Sequence, residues 1–145
     1  MNKLFISILL LAFALSLNAC MDKKHVGFEM LPDNAQKTIT QHFGKDAFLF
    51  VSIEREVLFL EYDVSLKDGT DLEFDRDGNL KSIDCLQQRI PEGIVPEKVL
   101  AYVNANHPDA YITKWGMDDL RWKAELNNDL ELIFDHNGEF YRYDD

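Results

Sequence analysis

The stretch from Tyr62 to Asp84, YDVSLKDGTDLEFDRDGNLKSID, is written again in altered letters from Trp122 to Asp144, WKAELNNDLELIFDHNGEFYRYD. The two run without a gap at an offset of sixty residues. Leu66 falls on Leu126, Leu72 on Leu132, Phe74 on Phe134, Asp75 on Asp135 and Gly78 on Gly138. Two copies are too few for a solenoid, whose repeats stack in longer arrays. They point instead to a pair of small units that share a sheet or pack side by side.

Each copy reads as hairpins. Tyr62, Val64 and Leu66 alternate with Asp63 and Ser65, the period of a strand with one wet face. Lys67-Asp68-Gly69 turns the chain, because Asp-Gly tolerates positive φ. Leu72 and Phe74 restart the alternation, and Asp75-Arg76-Asp77-Gly78 turns it again before Leu80. In the second copy Asn127-Asn128-Asp129 and Asp135-His136-Asn137-Gly138 hold the same two places. Turn chemistry persists while the letters change, which favours a structural reason for the repeat.

Upstream of each copy stands a short helix. Leu31-Pro32-Asp33 opens the first, and Ala35, Ile39 and Phe43 form an apolar stripe that Gly44 stops. Val95-Pro96-Glu97 opens the second, with Val99, Val103 and His107 on the stripe and Pro108 at its end. A strand follows each helix, Asp46 to Ile53 and Asp109 to Trp115. The first is nearly all apolar and is expected where both faces are covered. On the long strands, Leu58, Leu60, Tyr62, Val64 and Leu66 should face inward, as should Leu120, Trp122, Ala124 and Leu126. Phe59, Glu61, Asp63 and Ser65 should face outward with Arg121, Lys123 and Glu125. The fold class expected is α+β: two tandem αβ4 repeats, an antiparallel sheet with helices packed on one face. Residues 31–85 form the first repeat, 86–94 a linker and 95–145 the second.

The N-terminal segment has a different composition. Lys3 precedes an almost unbroken apolar run from Leu4 to Leu17, too short for a comfortable membrane span and typical of an export signal over residues 1–19. Leu17-Asn18-Ala19-Cys20 resembles a bacterial lipobox, which makes Cys20 the lipid-attachment residue and 20–30 a tether. Ordinary signal cleavage and a retained anchor are the alternatives. If Cys20 is acylated, Cys85 has no partner, so no disulfide framework is expected; it reads as a small apolar residue. The chain carries a net charge of −11, and loss of residues 1–19 makes it one unit more negative. That argues against nucleic acid and against electrostatic adhesion to anionic lipid, so membrane attachment rests on the lipid alone.

Taken together, the Pro-led helices (Leu31-Pro32, Val95-Pro96), the Asp-Ala pairs (Asp46-Ala47, Asp109-Ala110), and the strands Tyr62 to Leu66 and Trp122 to Leu126 resemble the PepSY-like domain of exported bacterial proteins. So do the turns Phe74-Asp75-Arg76-Asp77-Gly78 and Phe134-Asp135-His136-Asn137-Gly138. That family is similar in fold to beta-lactamase inhibitor protein. The resemblance covers nearly all of the mature chain. It implies an envelope location and a binding or inhibitory role, with no established reaction or ligand, and it carries over no functional residues.

Candidate sites follow from the pattern. Counted back from Gly78, Glu73, Asp75, Asp77 and Asp84 take the first, third, fifth and twelfth positions of a calcium loop. The stretch alternates like a hairpin, however, and the first position of the second copy is Ile133. A plain Asp/Asn/Gly turn is the preferred reading. His25, His42, His107 and His136 lack a partner at ligand spacing. Ser52, Ser65 and Ser82 lie in no nucleophile elbow. No catalytic residue and no cofactor is expected. The leading expectation is a non-catalytic module that binds an unknown envelope protein or peptide, possible inhibition of a peptidase included, through the helix-free sheet face. Phe59, Glu61, Asp63, Arg121 and Lys123 are the partner-binding candidates, with Tyr111, Trp115, Tyr141 and Tyr143 as further aromatics. The alternative is a small-ligand or calcium-binding protein that uses the turns.

Overall fold

Among the described residues nine strands form one antiparallel sheet whose spatial order is the chain order. The structure, a computed structural model, describes residues 24–55, 60–118 and 120–144, with side chains from Gly27 onward apart from Glu54 and Arg55. The strands are β1 (Lys24–Val26), β2 (Phe48–Arg55), β3 (Leu60–Leu66), β4 (Asp71–Phe74), β5 (Leu80–Asp84), β6 (Ile112–Asp118), β7 (Arg121–Leu126), β8 (Glu131–Phe134) and β9 (Phe140–Asp144). Helix α1 (Asp33–His42) lies between β1 and β2, and α2 (Glu97–Asn106) between β5 and β6. Both begin after a proline with φ near −55°, at Pro32 and Pro96, where the missing amide costs nothing.

This sheet corrects the expectation of two tandem αβ4 repeats with helices packed on one face. β5 pairs with β6 through Ser82↔Gly116, Ile83↔Trp115 and Asp84↔Lys114, so hydrogen bonds cross the junction without a break. A ninth strand, β1, pairs with β2 inside the segment read as a tether. The architecture is a single, mostly-β meander that carries two ten-residue helices. The physical reason lies in the edges. Separate units would leave β5 and β6 each with a row of unpaired backbone groups, and pairing them removes both edges at once.

The turns explain the sequence repeat in local terms. Asp75 Oδ1 accepts the amides of Asp77 and Asn79 at 2.9 and 2.8 Å. Asp135 Oδ1 accepts those of Asn137 and Glu139 at 2.8 and 2.9 Å. These Asx turns set up Gly78 and Gly138, with φ of 80° and 75°. At the other hairpin Gly69 has φ 88° and Asp129, sixty residues on, has φ 65°. Aspartate is among the few residues with a Cβ that visit this region readily.

The core is a row of side chains in register across seven strands: Val51, Val64, Leu72, Ile83, Trp115, Ala124 and Leu132, all buried. Tyr62 and Phe74 extend it in the first half of the sheet, and Trp122 and Phe134 in the second. Ala35 and Ile39 of α1 and Val99 and Val103 of α2 are buried in the same cluster, with Phe43 packed against it. Trp115 and Trp122 stack at 5.0 Å. Phe28 is buried and meets Phe48 edge-on at 5.4 Å. Two expectations about inward-facing residues need correction. Leu120 is 79% exposed because it sits in the β6–β7 turn, outside the alternation. Leu49 and Phe50 are exposed beside an irregularity in the β2–β3 register, so only Val51 to Ile53 are covered on both faces. Leu58 lies outside the described residues.

Candidate functional site

The rung next to the core row carries different chemistry. Ser52, Asp63, Glu73, Ser82, Gly116, Lys123, Ile133 and Arg142 follow one another in register from β2 to β9. Alternation places this rung on the face opposite the core row. A parallel rung holds Ser65, Asp71, Asp84, Lys114, Glu125, Glu131 and Asp144.

Three lysines tie these carboxylates together. Lys81 Nζ lies 2.5 Å from Glu61 and 2.6 Å from Glu73. Lys114 Nζ lies 3.1 Å from Glu125 and 3.4 Å from Asp84. Lys123 Nζ reaches Glu131 at 2.6 Å, Asp144 at 3.1 Å and Asp118 at 3.7 Å. The hydrogen bond that Lys123 donates to Glu131 raises its ammonium above the ordinary value; burial opposes, and Asp144 adds to the rise. Lys114 is raised in the same way, chiefly by Glu125. At Lys81 and Glu73 burial works against both charges, yet the contacts they make outweigh it: the lysine moves up and the glutamate down. All three lysines are therefore fixed cations at neutral pH.

The face is concave at its centre. A cavity of about 580 Å³ opens over β2 to β7, with Ser82 and Gly116 among its lining and Asp63, Asp84, Lys114 and Glu125 around them. A Cβ at Gly116 would stand 2.7 Å from Ser82 Cβ, so the two strands meet here only because one residue is glycine. A second hollow of about 230 Å³ lies toward the β6–β7 turn, lined by Asp118, Leu120, Arg121, Ile133 and Arg142.

The predicted binding residues fall at different places on this face. Asp63 and Lys123 line the same large cavity. They are four strand spacings apart, roughly 19 Å at ~4.8 Å each. Glu61 is taken up by Lys81. Arg121 lines the smaller hollow, its guanidinium 3.6 Å from the Tyr141 ring centre. Phe59 lies outside the described residues. Of the other aromatics, Trp115 is core, Tyr111 holds Arg89 over its ring at 4.7 Å, and Tyr141 and Tyr143 are exposed.

The four residues counted as a calcium loop are not gathered. Glu73 pairs with Lys81. Asp75 is occupied by its own turn, with Asn79 Nδ2 on Oδ2 at 2.9 Å. Asp77 is exposed and offers its carbonyl to Asn34. Asp84 accepts the Leu86 amide at 2.7 Å. Among the described residues no three His, Cys, Asp or Glu side chains are placed to hold a metal ion. His107 receives the end of α2, its amide on the Val103 carbonyl, and meets Tyr143 edge-on. Cys85 is buried, and burial pushes its thiol up, away from the reactive thiolate.

Sequence reasoning missed Lys81, Lys114, Ser82 and Gly116. No local signal marked the lysines, because the acids that hold them, Glu61 and Glu73 for Lys81 and Asp84 and Glu125 for Lys114, stand on other strands. None marked Gly116, whose role depends on which strand lies beside it.

Comparison with known proteins now places the chain. The family described as "Putative beta-lactamase-inhibitor-like, PepSY-like" matches residues 60–142, more than half of its length. The chain belongs to this PepSY-like family. Among curated proteins none matches. A "putative periplasmic protein from DUF2874 family" of Bacteroides vulgatus is 29% identical with a TM-score of 0.80, covering 87% of this chain and 99% of its own. A "putative calcium-regulated periplasmic protein" of Bacteroides thetaiotaomicron is 31% identical with a TM-score of 0.80, covering 86% and 98%. A "putative periplasmic protein of unknown function", also of B. vulgatus, is 29% identical with a TM-score of 0.77, covering 84% and 100%. Neither the family nor these neighbours name a reaction. Among the described residues no helix of this PepSY-like chain is long and apolar enough to cross a membrane.

Proposed function

We propose that this PepSY-like protein is a non-catalytic binding module of the cell envelope. It is exported, held by a lipid on Cys20, and grips an envelope protein or peptide through the charged concave face of its sheet. Blocking an exported enzyme is one form that grip takes. The observation that carries the reading is the ordered array of ion pairs around the 580 Å³ concavity. A partner meets side chains already held in place, so less conformational freedom is lost on association. The family description and the periplasmic neighbours support the compartment.

Photo-crosslinking in the intact envelope tests this. A crosslinking residue at Ser82 or Asp63 should give a discrete protein adduct, whereas one at Asn104 on α2 should not. Adducts from α2 with none from the concave face would refute the assignment.

A second reading, cation binding at the Asp/Asn turns, has one observation in its favour, the printed description of the B. thetaiotaomicron neighbour. Calcium at the Asp75 turn would have to displace hydrogen bonds already made. A rise in melting temperature with millimolar calcium would support it, since a ligand that binds only the folded state stabilises it. No rise would dismiss it.

A further inference from the structure

The register of β3–β5 matches that of β7–β9 rung for rung. Asp63, Glu73 and Ser82 stand opposite one another as Lys123, Ile133 and Arg142 do. On the first set Glu61, Glu73 and Lys81 close into a triad of ions. Sixty residues later the same three places hold Arg121, Ile133 and Tyr141. The ion triad has become a cation on an aromatic ring beside an aliphatic floor.

Three observations mark this second triad as a surface built for contact. Ile133 is only 4% exposed, yet it stands apart from the main core cluster and floors the 230 Å³ hollow on the charged face. Leu120, at its lip, is 79% exposed and Tyr141 is 55% exposed, whereas Leu60, the counterpart of Leu120, packs against the core. The Arg121 guanidinium rests on Tyr141 and pairs with no carboxylate of a described residue. Lys81, Lys114 and Lys123 on the same face each hold two or three acids.

We propose that this cleft is the anchor point of the concave face, and that it takes an extended segment of a partner protein with an apolar side chain next to a carboxylate. The apolar group fills the hollow over Ile133 against Leu120 and Tyr141. The carboxylate takes the N–H groups of Arg121, whose planar fork suits bidentate pairing. Arginine and tyrosine around an aliphatic pocket are the composition of an energetic centre in a protein interface. The inference rests on the binding reading above and narrows it to one class of partner segment.

A displayed library of random peptides, selected on the immobilised protein, provides the probe. Selected peptides are then synthesised and titrated by fluorescence anisotropy against wild type, Arg121→Glu, Leu120→Asp and Asp84→Lys. All three positions are wholly or partly exposed, so the variants should fold, which circular dichroism checks. The expected result is peptides rich in Leu or Phe beside Asp or Glu, weakened about tenfold or more by Arg121→Glu and by Leu120→Asp, the loss typical of a removed anchor. Peptides weakened only by Asp84→Lys would overturn the anchor and leave the binding reading standing. Peptides indifferent to all three variants, or no selection at all, would count against both. Two other occupants are checked on the wild type and Leu120→Asp. Flotation with phosphatidylglycerol vesicles, or self-association in sedimentation velocity, lost in the variant, would overturn the peptide assignment.

Discussion

Gly78 and Gly138 occupy matching turns with nearly equal φ, so replacing each with alanine separates backbone strain from packing. The left-handed conformation costs a residue with a Cβ about 1–2 kcal/mol in either turn. The gain from a stiffer unfolded chain, about 0.4–1 kcal/mol, offsets both equally. The surroundings differ. A Cβ on Gly78 would lie 2.8 Å from the Ala35 backbone nitrogen, 2.8 Å from Pro32 Cβ and 3.2 Å from Asn34 Cβ. Those atoms belong to the start of α1, which cannot yield without losing the Asn34 to Asp77 hydrogen bond at 3.1 Å and unseating buried Ala35. Forced overpacking of this kind costs about 1–3 kcal/mol more. A Cβ on Gly138 meets nothing nearer than 3.5 Å, at Val99 Cγ2, an ordinary contact. Gly78→Ala should therefore destabilise by about 2–4 kcal/mol and Gly138→Ala by about 1 kcal/mol. Urea denaturation reads the difference as a shift in midpoint at constant slope. In melting temperature that difference of about 1–3 kcal/mol corresponds to roughly 3–12 °C, at about 2.1 cal/mol/K of unfolding entropy per residue. Equal losses would show that α1 is not seated on the β4–β5 turn as described.

Two further perturbations probe the charged face and its turns. Lys123→Met leaves Glu131, Asp144 and Asp118 facing one another without their cation; a loss of about 1–2 kcal/mol is expected, between the values for exposed and buried pairs. Lys45→Met, which removes the exposed pair with Glu29 and the cation over the Phe28 ring, should cost less, about 0.5–1 kcal/mol, and a reversed order in urea denaturation would contradict the ladder. At Asp75 burial favours the neutral acid, but the hydrogen bonds from Asn79, Asp77 and Gly78 outweigh it and hold the carboxyl below its ordinary value. That stabilisation is fully present above the unfolded value of about 3.9 and is lost as pH falls through the lower folded value. Asp75→Asn should thus lower the melting temperature at pH 7 and flatten its fall below pH 4. Parallel curves for variant and wild type would exclude this role.

Local structure was legible in the sequence wherever one residue and its near neighbours decide it. The turns around Asp75 and Asp135 show this, because an Asx turn needs only its own four or five residues. The alternation of Tyr62, Val64 and Leu66 also translated directly into buried positions. Leu120 did not, because period two was carried back beyond the start of β7 into a turn where it has no meaning. The αβ4 pairing failed for a related reason. A helix between β5 and β6 suggests a boundary, but whether two strands on either side of it meet is set by non-local hydrogen bonding, which no window of sequence reports. The short β1 was invisible because three residues carry no period. On the charged face Asp63, Arg121 and Lys123 could be read as outward, while their partners could not, since each partner sits on another strand.

The distribution of charge across the two rungs bears on what the protein is for. The core rung already holds the sheet together by burial, from Val51 to Leu132. Exposed ion pairs add little to such stability, of the order of 0–1 kcal/mol each, so stability gives a weak reason for three lysines each bracketed by carboxylates from other strands. Order gives a stronger one. A lysine held by Glu131 and Asp144 cannot sweep its surroundings, and each acid that it holds is fixed as well. Such a face makes poor general adhesive, because its charges are mutually satisfied, and a partner gains only where a group is left unanswered. Beside these rungs Arg121 pairs with no carboxylate of a described residue, next to the hollow that an aliphatic residue floors. Discrimination would follow from the contrast: the ladder turns away segments that bring charge without shape, and the cleft beside it accepts the ones that bring both.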